Sequence, residues 1–267
     1  MQRPKALPCC PLRLAALCLL IQGCVSTTEI NDTPQKSYGQ NAKEAYVTGL
    51  KLLRDNECTE GEEAFRQVRR KYPYSRYAAL AELRIGDCLI KEKKNLEAVD
   101  AYQRFIRNRP SHREIPYAHF RVADAYYRQI PSEWFLSPPQ YELDQGPARS
   151  ARKYFDRYIE DYPDHKYLPL ARRKLREVLT LLARHELYAA EFYLRRDKEG
   201  AAIRRLNTLL KRYPDSLIEA EVLWKLAELY DETKQPKKSK AVLTFLVQRH
   251  PKSEYAAQAR EKMNRAI

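Results

Sequence analysis

Six cysteines carry most of the chemistry this 267-residue chain could offer: Cys9, Cys10, Cys18, Cys24, Cys58 and Cys88. A thiol can be acylated, oxidised, used as a nucleophile or spent on a metal. Metal binding needs suitable neighbours, and the five histidines, His112, His119, His165, His185 and His250, are scattered, none at ligand spacing from a cysteine or carboxylate. His112 and His119 lie seven apart on or near one helix and read as solvated or capping residues. Seven glycines, no two of them separated by one residue, leave no Gly-rich phosphate cradle. No serine sits in a nucleophile elbow. The sequence therefore predicts no catalytic constellation, no metal and no cofactor.

The setting of Cys24 indicates its use. Arg3, Lys5 and Arg13 give a positive start, and Leu12 to Ile21 reads as an apolar run too short to span a bilayer as a mature helix. It ends in Leu20-Ile21-Gln22-Gly23-Cys24. This resembles a bacterial lipoprotein signal, in which a small residue precedes a cysteine that is diacylated and becomes the new N-terminus; Gln22 departs from the small residue expected there. The resemblance implies a signal peptide over 1–23 and lipid attachment, palmitate included, at Cys24. Because Val25 is not aspartate, it also implies delivery to the outer membrane, with the body at its periplasmic face. More than one acyl chain makes such an anchor stable, each buried methylene adding about 0.8 kcal/mol. Residues 24–41 lack apolar periodicity and read as a lipidated flexible tether. Cleavage would remove three basic and no acidic residues, lowering the formal charge from +14 to +11.

Whether the remaining Cys58 and Cys88 meet depends on the elements that carry them. Those elements are legible from five prolines, Pro73, Pro110, Pro163, Pro214 and Pro251. Eight residues before each sits a large side chain: Phe65, Tyr102, Phe155, Leu206, Leu243. Twelve before sits a small one: Gly61, Ala98, Ala151, Ala202, Ser239. Twenty-four before, allowing a 16-residue insertion in the third unit, sits another: Gly49, Gly86, Ala123, Ala190, Ala227. Three further on come Leu52, Leu89, Tyr126, Tyr193 and Tyr230. Small residues let two antiparallel helices approach while large ones fill the holes between them. Each proline then ends the second helix by withholding an amide hydrogen. The pattern resembles the tetratricopeptide repeat from about residue 42 to 262, with Gly61 and Ser239 standing where that family usually has alanine. The expected fold is all-α: a solenoid of five such hairpins plus a C-terminal helix, its first helices lining a concave face.

In that frame Cys58 opens the second helix of the first hairpin and Cys88 lies late in the helix that follows, at about the same height. Two readings stay open: a disulfide, whose loop of about 31 residues would contribute up to roughly 3.5 kcal/mol, or two buried free thiols acting as small hydrophobes.

The basic balance invites nucleic acid as a partner, with clusters at Arg172-Arg173-Lys174, Arg195-Arg196, Arg204-Arg205 and Lys237-Lys238. Adjacent residues on a helix point about 100° apart, so these clusters do not build one phosphate-binding stripe. An exported protein meets no genome, and no nucleic acid is expected. Anionic head groups, acidic protein surfaces and peptide carboxylates are the better partners.

Two irregularities narrow the family. The third hairpin is interrupted over 131–146 by a loop carrying Trp134 and Phe135, which read either as a plug folded on the groove or as a partner contact. Then 51 residues separate Pro163 from Pro214 where 37 is the plain spacing, and Leu168 to Arg195 reads as one helix of about 40 Å at 1.5 Å per residue. Together with five repeats and the signal ending in Cys24, these features resemble the lipoprotein family that serves the β-barrel assembly machinery of bacterial outer membranes. That resemblance implies a non-enzymatic scaffold. Its N-terminal repeats, 42–146, would receive unfolded outer-membrane proteins through a C-terminal signal ending in an aromatic residue and a carboxylate. Its C-terminal repeats, 147–267, would dock the central barrel subunit, with other assembly lipoproteins as further partners. A groove for such a signal needs apolar rings beside basic donors, and repeat geometry offers Lys43, Tyr46, Asp87, Lys91, Tyr117, Phe120, Asp124, Tyr127 and Arg128. Each of Tyr46, Phe120 and Tyr127 could equally be packed between helices. The alternative role is a tetratricopeptide lipoprotein coordinating cell-wall synthesis with the outer membrane, against which the long fourth-repeat helix speaks.

Overall fold

The protein was analysed as a computed structural model that describes residues 37–132 and 136–265. The signal peptide, Cys24, most of the tether, Trp134 and Phe135 lie outside the described residues. Among the described residues eleven α-helices follow one another: α1 (Tyr38–Arg54), α2 (Cys58–Lys71), α3 (Arg76–Lys91), α4 (Asn95–Asn108), α5 (Ile115–Tyr127), α6 (Gly146–Asp161), α7 (Leu168–Leu194), α8 (Glu199–Arg212), α9 (Glu219–Glu232), α10 (Pro236–Arg249) and α11 (Glu254–Arg265). Each packs on its successor, and α1 also meets α3, α5 meets α7 and α9 meets α11. This is the all-α solenoid of five hairpins with a closing helix. The core runs unbroken across residue 146, because α5 and α6 pack as one hairpin and buried α5 residues belong to the clusters on both sides. The division between 146 and 147 is therefore one of proposed role.

Helix ends follow the proline column. Tyr72, Arg109, Tyr162, Tyr213 and His250 are the C-caps of α2, α4, α6, α8 and α10, each immediately before its proline. The turns inside the hairpins close differently. In four of them the amide five residues along reaches back to the bulky column: Glu57 to the Leu52 carbonyl, Lys94 to Leu89, Lys198 to Tyr193 and Gln235 to Tyr230, at 2.7–3.1 Å. These are Schellman-type closures, and they put Asn56, Lys93, Asp197 and Lys234 at φ of 54–65°, a left-handed conformation usually given to glycine.

The packing columns are all in place. Phe65, Tyr102 and Phe155 are fully buried, and Leu206 and Leu243 nearly so. A Cβ on Gly86 would lie 2.6 Å from the Tyr102 ring, and one on Gly49 would lie 2.7 Å from Phe65, so both glycines are required by close helix approach. One boundary is corrected. Helix α1 begins at Tyr38, not after residue 41, because the Ser37 side chain accepts from the Gln40 amide while Gln40 returns a bond to the Ser37 amide.

The two irregularities touch. Helix α7 runs 27 residues. A short 3₁₀ turn in the insertion, Gln140–Glu142, packs against it. Tyr141 sets its ring 5.6 Å from Tyr188, and its carbonyl oxygen lies 2.6 Å from His185 Nδ1. The insertion therefore rests on the C-terminal half of α7, the part that corresponds to α3 and α9 in the plain repeats.

Candidate functional site

Six of the nine candidate residues converge. Asp87 and Lys91 of α3, Tyr117, Phe120 and Asp124 of α5, and Arg128 at its C-terminal cap line one open pocket of about 360 Å³. Steps of three and four residues keep each set on one helix face. Leu53 of α1, Arg121 of α5 and Tyr167, Leu170 and Lys174 at the start of α7 complete the wall. Arg121 was visible in principle, four residues after Tyr117 and three before Asp124 on the same face. The α7 contribution was not, because it crosses the irregular third hairpin.

Two buried carboxylates organise the floor. Asp87, 6% exposed, accepts from the hydroxyls of Tyr102 and Tyr117 at 2.5 Å and from Arg84, and forms an ion pair at 3.3 Å with Arg121, whose Nε donates to the Tyr102 hydroxyl. Burial and the Asp87 charge push both tyrosine hydroxyls well up, so they remain donors. Asp124, 2% exposed, binds Arg121 at 3.0 Å, Arg128 at 2.9 Å and Lys174. Burial alone would raise its carboxyl; the hydrogen bonds and charges of Lys174, Arg128 and Arg121 outweigh burial and hold it below the ordinary range. A buried carboxylate held by several cations is paired rather than stranded.

Rings stand beside this charge, Phe120 and Tyr117 nearly enclosed at 3% and 9% exposure and Tyr167 half-buried. Phe120 stacks on Tyr167 with centroids 4.7 Å apart and planes at 12°, and Tyr117 lies 5.8 Å from Tyr167. At the rim, Lys91 Nζ donates to the Leu53 carbonyl at 2.5 Å and to Asn56 Oδ1 at 2.8 Å, both neutral acceptors, so its charge is not cancelled. The lining holds four cations, Lys91, Arg121, Arg128 and Lys174, against two carboxylates. Such a pocket can take an anionic group and an adjacent apolar ring together.

Three candidates stand elsewhere. Tyr46 is corrected to a core residue: it shares the α1 face of Gly49, packs 5.7 Å from Phe65 and 5.5 Å from Tyr77, and is 8% exposed. Lys43 is exposed on α1 and does not line the pocket. Tyr127 sits behind the pocket, its hydroxyl donating to Glu177 at 2.5 Å and its ring 4.2 Å from Lys174 Nζ. Burial, then the Glu177 contact, pushes that hydroxyl up to about 12. Cys58 and Cys88 are both buried, as free thiols, in the core of the first two hairpins. Among the described residues no group of three or more His, Cys, Asp or Glu side chains is placed to hold a metal, and no helix is long and apolar enough to cross a membrane.

The chain is similar to curated proteins named outer membrane protein assembly factor BamD. That of Xylella fastidiosa (strain Temecula1 / ATCC 700964) is 27% identical over 224 residues, covering 81% of this chain and 73% of the relative. Those of Rickettsia prowazekii (strain Madrid E) and Vibrio cholerae (strain ATCC 39315 / El Tor Inaba N16961) are 25% and 26% identical. They cover 92% and 76% of this chain, and 93% and 82% of their own. A family model described as YfiO, outer membrane lipoprotein, matches residues 39–244. With a match running from the first turn of α1 into α10, the chain belongs to the YfiO family of outer membrane lipoproteins.

Proposed function

We propose that this protein is a non-enzymatic scaffold in the assembly of β-barrel proteins into the outer membrane. In this reading it hangs by acylated Cys24 from the periplasmic face of that membrane and receives unfolded barrel proteins in the pocket between α3, α5 and α7. The observation that carries the reading is the pairing of an aromatic wall, Phe120, Tyr117 and Tyr167, with a cationic excess at Lys91, Arg121, Arg128 and Lys174. A peptide ending in an aromatic residue and a free carboxylate matches both features. The ring would lie on the stacked pair while the terminal carboxylate meets the cations, a form of C-terminal carboxylate capture. The relatives named as assembly factors support the process, and the C-terminal repeats, 147–267, supply the surface for the central barrel subunit and its accessory lipoproteins.

A gentle-detergent pull-down of the tagged, lipidated protein from outer membranes tests the role. Recovery of a large barrel protein with periplasmic domains is the expected result. Recovery of cell-wall synthases or their regulators in its place would overturn it.

A further inference from the structure

We propose that Cys58 and Cys88 are a disulfide site that staples α2 to α3. Two independent contacts bracket the pair. One residue past Cys58, Thr59 Oγ1 donates to Glu92 Oε1 at 3.1 Å, and Glu92 lies one turn beyond Cys88. One turn past Cys58, Gly61 sits against Cys88, with its Cβ position 3.5 Å from Cys88 Sγ. These contacts pair 59 with 92 and 61 with 88, so Cys88 sits over the turn of α2 that begins at Cys58, near enough for the Cys58 side chain to act on the Cys88 thiol. Both thiols are buried, at 5% and 0% exposure, in one apolar cluster, and among the described residues no group of three or more His, Cys, Asp or Glu is placed to hold a metal.

The chemistry also sets the time at which the bond forms. Two S–H bonds are lost and one S–S bond is made, releasing two protons and two electrons. The acceptor is the active-site disulfide of a thiol–disulfide oxidase, which leaves as a dithiol after a mixed-disulfide intermediate. Attack needs a thiolate and access. In the folded chain Cys88 has neither, since burial and then the neighbouring Cys58 keep its thiol protonated and it is fully enclosed. Oxidation therefore precedes closure of α2 on α3, and the finished bond is shielded from reductants. The bridge would also fix the pocket rim, because Lys91, one turn after Cys88, reaches back to Leu53 and Asn56.

The bridge rests on the exported location proposed above, since a reducing compartment would oppose it. The test takes the processed, membrane-anchored protein from cells lysed into an alkylating agent, digests it without reduction and reads the peptides by mass spectrometry. In parallel the same chain is unfolded in urea and refolded in a glutathione redox buffer. The expected result is one linked peptide pair containing Cys58 and Cys88 in both samples, lost in the Cys58→Ser variant, with the urea midpoint of wild type shifting downward on reduction. Free, alkylated thiols in the cellular sample but a bridge after refolding would overturn the bridge in the cell through its location, leaving the pairing geometry standing. Free thiols in both samples would overturn the pairing itself, whatever the location.

Discussion

Lys174 of α7 donates its ammonium to Asp124 of α5, joining two residues 50 positions apart across the interrupted third hairpin. The same carboxylate holds Arg121 and Arg128, so this one contact both docks the fourth hairpin and sets the positive wall of the pocket. Asp124→Ala leaves three cations without their common partner, two of them largely buried. Removing one member of a buried ionic group costs about 3–5 kcal/mol. Urea unfolding checks this, and a loss of less than about 1 kcal/mol would show that water or rearrangement replaces the carboxylate.

Acid should weaken the fold in two windows. Burial depresses His112, His119 and His165 below their ordinary value. A histidine with a lowered folded value binds more protons when unfolded, so its contribution is complete above the unfolded value of about 6.5 and is lost as pH falls below it. Asp124 is also lowered in the folded chain. Its contribution is complete above about 3.9 and lost below that, toward its folded value. Urea midpoints measured from pH 8 to pH 3 should show both declines. Asp124→Asn should flatten only the lower one and His119→Gln should reduce only the upper; a single decline unaffected by either substitution contradicts the assignment.

Gly86→Ala sets helix propensity against packing. Alanine gains up to about 1 kcal/mol in a helix interior. The new methyl, however, would lie 2.6 Å from the ring of fully buried Tyr102, whose hydroxyl is fixed by Asp87. Overpacking of this kind costs about 1–3 kcal/mol, so the net effect should be destabilising. Gly39→Ala is the control, because nothing lies within 4 Å of its Cβ position. It should be neutral or slightly stabilising, and thermal unfolding of the two variants side by side gives the comparison.

Peptide binding provides the most direct reading of the pocket. A fluorescent peptide ending in phenylalanine with a free carboxylate should bind at low salt and weaken when its C-terminus is amidated. Lys91→Glu with Arg128→Glu should reduce affinity about tenfold or more, as expected for the loss of charge-assisted hydrogen bonds of about 1.5–3 kcal/mol each. Arg128→Glu alone leaves the Lys91 link to Leu53 and Asn56 intact. Unchanged affinity in both variants, with helicity preserved by circular dichroism, would remove the site.

The amino-acid sequence by itself determined the number and order of the hairpins, because a solenoid is built from contacts between neighbours in the chain. Pro73 through Pro251, the small residues from Gly49 to Ser239 and the large ones from Phe65 to Leu243 each act within about 37 residues of their partners, so periodicity exposes them. It also brought Asp87, Lys91, Tyr117, Phe120, Asp124 and Arg128 forward together, since each set repeats at helical spacing. Only the tertiary structure decided which way each helix is rotated. That rotation sends Tyr46 into the core against Phe65, leaves Lys43 outside the pocket, and brings Tyr167, Leu170 and Lys174 onto residues some fifty positions earlier. Helical period fixes which residues share a face but not what the face meets, and across a 16-residue interruption no spacing remains to carry the register.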